Sequence, residues 1–233
     1  MGISKVLISA VSPKVCLGCG EIINENDDLC FYCHEMLSKT ADSKYCSKCG
    51  NNKANCRCTK DVLFFKGIAS PFYNEGIARE IMYSYKFSHR EYVAEFFARQ
   101  IVLSIKQNFY DTGFDVVCFV PLFFLNRLRR GYNQSELIAR HVGKLLNIPV
   151  ASKALGCKFK SKPQHEMLIN ERSENVKDKY YSKHSLRGKR VLLIDDIKTT
   201  GATLNECAKA LMGAGADSVY CATGLVTPKK KKG

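Results

Sequence analysis

The stretch Val191-Leu-Leu-Ile-Asp-Asp-Ile-Lys-Thr-Thr-Gly-Ala-Thr-Leu204 decides the fold of the larger part of this 233-residue chain. Its four apolar residues predict a buried strand that ends at the two acids Asp195 and Asp196. A loop of small and hydroxyl-bearing residues then leads directly into a predicted helix. Backbone N–H groups of residues 199–203 can converge on one anion at the start of that helix, so the stretch predicts a phosphate cradle.

Individual residues of this stretch suit a phosphorylated sugar. Gly201 lets the backbone approach a ligand closely, and the hydroxyls of Thr200 and Thr203 add hydrogen-bond donors. Asp195 and Asp196 can accept hydrogen bonds from sugar hydroxyls or hold the hydration shell of Mg²⁺. An ordinary strand-turn-helix with surface acids is the alternative interpretation.

The stretch resembles the 5-phosphoribosyl-1-pyrophosphate (PRPP) signature of type I phosphoribosyltransferases, with four apolar residues, two acids and a loop ending in Thr-Gly-x-Thr. The resemblance implies that Asp195 and Asp196 contact the ribose hydroxyls. It also implies a set of residues that wrap the 5′-phosphate, namely Lys198, Thr199, Thr200, Gly201, Ala202 and Thr203.

Strands and helices alternate on both sides of this stretch. Alternation of this kind predicts an α/β fold with a parallel sheet flanked by helices, and ligands of such sheets bind at the carboxyl ends of the strands. The predicted strands lie within residues 62–73, 115–120, 191–194 and 218–225. The predicted helices are residues 75–87, a helix from Glu91, a helix opened by Asn133-Gln-Ser-Glu136 with Leu137, Ile138, Val142 and Leu145 on its apolar face, and residues 203–212. Residues 153–190, with eleven bases and four acids, are predicted to form a mobile basic loop with short strands.

A second loop, between a predicted strand and helix, is rich in arginine. No acid neighbours these arginines, and a glycine lets the chain turn before the helix, so the loop could hold a pyrophosphate. A solvated basic loop is the alternative. The candidate residues are Arg127, Arg129, Arg130, Gly131, Asn133 and Gln134.

Eight of the twelve cysteines fall in a short N-terminal segment, mostly as Cys-x-x-Cys pairs. Two such turns bring four thiolates to one tetrahedral zinc ion, and a site closed by four thiolates is structural. The simplest partition gives Cys16, Cys19, Cys30 and Cys33 to one zinc and Cys46, Cys49, Cys56 and Cys58 to another. An interleaved pairing and a redox role stay open, and His34 is predicted to lie outside both sites.

The segment Val120-Pro-Leu-Phe-Phe-Leu-Asn-Arg-Leu-Arg-Arg-Gly-Tyr-Asn-Gln134 resembles a loop of the ComF family, which includes the GntX-like proteins. Those proteins also join a zinc-ribbon head to a PRPP-binding body. The further matches are Tyr85-Lys86-Phe87, Gln164, Leu168, Arg172 and Asn175. The resemblance implies a double zinc ribbon over residues 1–60, a phosphoribosyltransferase-like domain over residues 61–228 and a basic tail over residues 229–233.

Lysine and arginine total 36 against 22 acids, a surplus that suits a polyanionic partner. The ComF resemblance implies a role in natural transformation, in which the protein handles incoming single-stranded DNA in the cytosol. Competence helicases or recombination proteins are possible partners. The aromatic residues set among bases, and therefore candidates for base stacking, are Tyr132, Phe159, Tyr180 and Tyr181.

Three functions stay open at this point: a DNA-handling protein that uses PRPP as a co-requirement, a transferase acting on an unidentified acceptor, and a PRPP sensor without turnover. Thr199 stands where 6-oxopurine salvage enzymes carry an acid, which argues against that reaction, and no catalytic residue is identifiable. The expected cofactors are structural Zn²⁺ and Mg²⁺ with PRPP. Since no apolar run approaches about 20 residues, we expect a cytoplasmic protein. The single cysteines, expected in the core, are Cys118, Cys157, Cys207 and Cys221.

Overall fold

A computed structural model describes residues 13–40, 46–50, 53, 56, 58, 62–88, 91–123, 128, 130–158 and 178–227. Several residues singled out above lie outside these ranges: Arg127, Arg129, Phe159, Gln164, Leu168, Arg172, Asn175 and the tail from residue 229.

Twelve helices and strands make up the described part of the chain. In chain order they are α1 (Phe31–Glu35), β1 (Ile68–Ala69), β2 (Phe72–Tyr73), α2 (Gly76–Ser88), α3 (Glu91–Asn108), β3 (Val116–Phe119), α4 (Gln134–Leu146), β4 (Leu155–Cys157), β5 (Tyr180–Ser182), β6 (Arg190–Lys198), α5 (Ala202–Gly213) and β7 (Ser218–Val226).

The main sheet is parallel and has the strand order β1-β7-β6-β3, with β2 pairing further along β7. Its two central strands are apolar along most of their length because both faces of the sheet are covered. Helix α3 and the core of α4 cover one face, and α5 covers the other. The prediction of a parallel sheet flanked by helices is confirmed. Strands β4 and β5 form a separate antiparallel pair.

Strand β6 is longer than the sequence predicted. It continues past Ile194 to Lys198, because β7 supplies partners along its whole length, with Asp195 opposite Thr223 and Lys198 opposite Val226. The two acids therefore belong to a strand, on which neighbouring side chains point to opposite faces. The loop that leads into α5 begins only at Thr199.

Helices α3 and α4 supply most of the core on one face of the sheet. Val93, Phe97 and Ile101 of α3 are at most 1% exposed, as predicted. In α4, Ile138 and Val142 are buried, whereas the side chain of Leu145 is about half exposed, so its prediction as a core residue is wrong. Leu146, the last residue of α4, and Ile148, which follows the helix, pack against this core instead.

The cysteine-rich segment packs directly on the sheet. Cys16, Leu29, Cys33 and Leu37 belong to the same hydrophobic cluster as Phe72. Backbone hydrogen bonds join the two parts of the chain, from the Tyr73 N–H to the Ser38 carbonyl (2.8 Å) and from the Ile68 N–H to the Ser47 carbonyl (2.6 Å). The boundary predicted near residue 60 stays a prediction.

Among the described helices, none has both the length and the hydropathy that crossing a membrane requires.

Candidate functional site

Asp195 lies at the carboxyl end of the sheet, where three elements meet. Its Oδ1 accepts a hydrogen bond from Ser135 Oγ (2.9 Å) and one from the Asp196 N–H (3.0 Å). Asn133, the N-cap of α4, positions Ser135 by accepting its N–H (3.1 Å) and donates to the Val120 carbonyl after β3 (3.0 Å). These bonds tie the end of β3, the start of α4 and β6 together around one buried carboxyl group.

Burial and, to a smaller extent, the neighbouring charge of Asp196 raise the pKa of Asp195, to about 8. The Ser135 hydrogen bond and the Lys86 charge act against this rise. A buried carboxyl group with a raised pKa can release its proton when a cation or a ligand hydroxyl binds to it.

We expect the substitution Asp195→Asn to flatten the pH dependence of stability. Between the ordinary pKa of 3.8 and about 8, the folded protein holds a proton on Asp195 that the unfolded chain releases. The stability that this proton contributes is complete below the unfolded pKa and is lost as pH rises through the folded pKa. Urea unfolding at several pH values across this window should show a decline in wild type that is reduced in Asp195→Asn. Equal slopes for the two proteins would contradict the expectation.

Asp196 forms an ion pair with Lys86, in the last turn of α2. Lys86 Nζ lies 3.0 Å from Asp196 Oδ2, and both side chains are only about 15% exposed. The lysine also lies over the Tyr83 ring, 5.3 Å from its centroid. The ion pair fixes the carboxylate of Asp196 next to Asp195.

Sequence reasoning missed two members of this site, Ser135 and Lys86. The sequence marks Ser135 only as part of a helix-capping segment, and Lys86 only as part of the family resemblance. The signal for Ser135 was a hydroxyl in the first turn of a helix that follows a parallel strand, since such a turn lies at the ligand-binding edge of the sheet. Lys86 carried no comparable signal, because its approach to Asp196 depends on how α2 packs.

The loop that was predicted to form a phosphate cradle leads into the start of α5. Gly201 is the N-cap, with φ of 88°, and its cap makes no side-chain hydrogen bond. Thr199 and Thr200 are exposed, and Thr200 Oγ1 accepts from the Ala202 N–H (3.3 Å). Apart from the bond to Thr200, the start of α5 carries the partial positive charge and the N–H groups of a helix N-terminus, which suit an anion.

The arginine-rich loop is described only in part. Arg130 contacts Gln134, with 3.4 Å between Nη1 and Oε1, and Gly131 turns the chain with φ of 75°. Gln134 is 1% exposed and donates to the Lys86 carbonyl (3.5 Å). Asn133 and Gln134 therefore join α4 to its neighbours, whereas Arg130 is partly exposed and Gly131 is exposed.

A cavity of about 490 Å³ opens beside this edge of the sheet, between the end of β3, the first turns of α4 and strand β4. Pro121, Asn133, Arg140, Lys153 and Lys183 are among its lining residues. Its volume lies within the usual range for small-molecule sites. Its charged lining residues are three bases and one acid, Glu136, which forms an ion pair with Arg140.

The proposed stacking residues and the scattered cysteines are placed as follows. The hydroxyl of Tyr132 donates to the Tyr85 carbonyl, and the two rings pack with 5.6 Å between centroids, so Tyr132 is a packing residue. Tyr181 is about 39% exposed. Three of the single cysteines are fully buried and one, Cys157, is partly buried; the buried ones are Cys118, Cys207 and Cys221.

The eight N-terminal cysteines form two clusters, and in each the four sulfur atoms lie within 4.8 Å of one another. Cluster 1 contains Cys16, Cys19, Cys30 and Cys33, and cluster 2 contains Cys46, Cys49, Cys56 and Cys58. The structure therefore has the simplest partition and not an interleaved one. His34 is exposed and contacts Glu35, so it stands outside both clusters as predicted.

The spacing of the sulfur atoms fits a tetrahedral metal site. Ligands about 2.3 Å from a zinc ion lie about 3.8 Å from one another. The sulfur atoms of Cys19 and Cys30 are 3.7 Å apart and those of Cys49 and Cys56 are 3.5 Å apart. Cys56 and Cys58 are closer, at 2.9 Å, and their contact lowers the pKa of Cys56 to about 7 and raises that of Cys58 to about 12. A bound cation would favour the thiolate form of both cysteines. The donor sets of both clusters therefore fit a zinc ribbon.

Comparison with known proteins finds a matching family model and several relatives that align with most of the chain. The phosphoribosyl transferase domain family model matches residues 122–232. DNA utilization protein YhgH of Escherichia coli is 26% identical over 212 residues, covering 89% of this chain and 88% of that protein. Competence protein F of Haemophilus influenzae is 26% identical over 217 residues, covering 88% and 93%. Competence protein ComFC of Bacillus subtilis is 25% identical over 204 residues, covering 83% and 82%.

Proposed function

We propose that this chain, a homologue of the ComF-type competence proteins that carries a phosphoribosyl transferase domain, binds PRPP and acts in DNA uptake, handling incoming single-stranded DNA in the cytosol. The resemblance to the ComF family that the sequence indicated is confirmed by the names of its curated relatives. The DNA-uptake role comes from those names, and the PRPP role comes from the site itself.

The observation that carries the PRPP proposal is the placement of Asp195 and Asp196 beside an open helix N-terminus. In this proposal the two acids bind the ribose hydroxyls and the hydration shell of Mg²⁺, and the 5′-phosphate lies against residues 198–203 at the start of α5. The pyrophosphate would lie against Arg130 and Gly131, with Arg127 and Arg129 as further candidates. Mg²⁺ supplies charge neutralisation for the pyrophosphate when it is bound.

We also propose that each cysteine cluster holds a Zn²⁺ ion. The donor set of four thiols and the sulfur distances of 3.5–3.7 Å support this assignment, whereas the 2.9 Å between Cys56 and Cys58 is shorter than a tetrahedral zinc site requires. Four thiolates leave no open coordination position, so the ions would stabilise the fold and take no part in chemistry. Cys16 and Cys33 are nearly fully buried, which also suits a structural site.

The DNA proposal is supported by charge. Residues 61–233 hold 28 bases and 16 acids, so most of the surplus lies on the body. Lysines and arginines that neutralise backbone phosphates release counterions, which makes such binding favourable at low salt. With Tyr132 engaged in packing, Tyr181 is the most exposed of the candidate stacking residues that the structure describes.

We expect binding to a single-stranded oligonucleotide to weaken steeply with salt. If about four phosphates are contacted, the affinity should fall by about 50-fold between 50 and 200 mM salt, because the slope for single strands is about −0.7 per contact. Fluorescence anisotropy with a labelled 20-nucleotide single strand measures this salt dependence directly, with a duplex of the same sequence for comparison. Absence of binding at 50 mM salt would remove the DNA part of the proposal and leave the PRPP part intact.

A further inference from the structure

Cluster 2 touches the sheet edge that carries the candidate phosphate loop. Gly50 follows Cys49 directly, has φ of 71°, and is closely surrounded, so a side chain there would have to displace its neighbours by a few tenths of an ångström. A Cβ on Gly50 would lie 3.0 Å from Ile68 Cγ2, 3.3 Å from Lys198 Cδ and 3.4 Å from Val226 Cγ2. All three neighbours are at most 3% exposed, so none of them can move aside easily.

Lys198 links this contact to the loop. It is the last residue of β6, it is 3% exposed, and its carbonyl accepts from the Thr227 N–H (2.8 Å). Its carbon stem also lies under the loop, because a Cβ on Gly201 would be 3.2 Å from Lys198 Cε. The lysine stem is thus enclosed between the turn that follows Cys49 and the N-cap of α5.

The first turn of cluster 2 is fixed to the sheet at a second point. The Ser47 carbonyl, between two cysteines of the cluster, accepts from the Ile68 N–H of β1 (2.6 Å). The Gly50 N–H closes the same turn by donating to the Cys46 carbonyl (2.8 Å). Metal binding at cluster 2 would therefore fix a turn that supports Lys198.

We propose that cluster 2, through the contact of Gly50 with the stem of Lys198, positions the phosphate loop, so that metal occupancy of this cluster and PRPP binding strengthen each other. This inference rests on the proposed PRPP function. Without the metal, only backbone hydrogen bonds hold the turn, and ordering the phosphate loop costs part of the free energy of PRPP binding. Coupling of this kind typically changes affinity by 5- to 150-fold, and it acts equally in both directions.

Cluster 1 provides a matched control. Gly20 follows Cys19 as Gly50 follows Cys49, and it also has a positive φ, of 80°. A Cβ on Gly20, however, would have no atom within 4 Å. The substitutions Gly20→Ala and Gly50→Ala therefore introduce the same backbone strain, and only the second presses on Lys198.

The test is calorimetric titration of PRPP with Mg²⁺ into zinc-loaded wild type, Gly20→Ala and Gly50→Ala, with the zinc content of each protein measured. We expect Gly50→Ala to weaken PRPP binding at least about 5-fold, and Gly20→Ala to stay within about 2-fold of wild type. If wild type binds PRPP and both variants bind it equally well, the positioning role is wrong and the proposed function stands. If wild type does not bind PRPP, both are wrong.

A second measurement needs no variant and covers the case in which Gly50→Ala fails to fold. Chelator titration of the wild-type protein, with and without PRPP in excess Mg²⁺, gives the affinity of each zinc equivalent. Reciprocity predicts that PRPP raises the affinity of the protein for one zinc equivalent, by the same factor by which that zinc strengthens PRPP binding. The affinity for the other zinc equivalent should not change. Two equivalents that are both unaffected by PRPP would overturn the inference.

Discussion

Removal of metal from the cysteine clusters is expected to unfold the N-terminal part of the chain and to lower the melting temperature of the whole protein. Cys16 and Cys33 belong to the same hydrophobic cluster as Phe72 and the core of α3, so the two parts of the chain cannot lose order independently. Structural zinc contributes about 10–16 kcal/mol in small zinc-binding peptides, which is comparable with the whole stability of a typical domain.

The test variant is Cys33→Ser, inside cluster 1. The control variant is Cys157→Ser, at a partly buried cysteine outside both clusters. Thermal melts followed by circular dichroism should show a loss of at least about 10 °C for Cys33→Ser, corresponding to about 3 kcal/mol or more in a chain of this size. For Cys157→Ser we expect a change of no more than about 3 °C. Equal melting temperatures for the two variants, or no response of wild type to a strong chelator, would contradict a structural metal site.

The substitution Asp196→Asn is expected to lower PRPP affinity by about 10- to 150-fold. A hydrogen bond to a charged group contributes about 1.5–3 kcal/mol, and the amide can neither accept as strongly from a ribose hydroxyl nor hold the hydration shell of Mg²⁺ as a carboxylate does. The change keeps the size of the side chain while removing the charge that faces Lys86.

A suitable control is Asp28→Asn, because Asp28 also forms an ion pair, with Arg99 at 2.5 Å, but lies in the cysteine-rich segment. Its PRPP affinity should equal that of wild type. An Asp196→Asn protein that binds PRPP as well as Asp28→Asn does would exclude Asp196 from the ligand site.

The parts of the fold that could be predicted are those fixed by local pattern. The run Val191 to Ile194 is continuously apolar because a central parallel strand is buried on both faces, so its identity is visible without its partners. The partition of the cysteines was predictable only as the simplest one, since neighbouring cysteine pairs can supply four ligands for one metal while the sequence also allows an interleaved pairing.

The parts that could not be predicted depend on residues distant in sequence. The continuation of β6 to Lys198 exists because β7 pairs with it to Val226, and nothing in the local sequence records that partner. The ion pair of Lys86 with Asp196 and the contact of Gly50 with Lys198 arise in the same way, from the packing of separate elements on one sheet edge. A list of site residues taken from one sequence motif therefore leaves out the residues that other elements bring to the site.

The most direct test of the PRPP site is calorimetric titration of PRPP, in the presence of Mg²⁺, into wild type and Thr200→Ala. Thr200 lies in the loop before α5 and accepts the Ala202 N–H, so its removal disturbs the cradle without touching the core. Our account predicts saturable binding of one PRPP per wild-type chain and binding at least about tenfold weaker in Thr200→Ala, a loss equal to one charge-assisted hydrogen bond. No saturable binding by wild type, or equal binding by the two proteins, would contradict it.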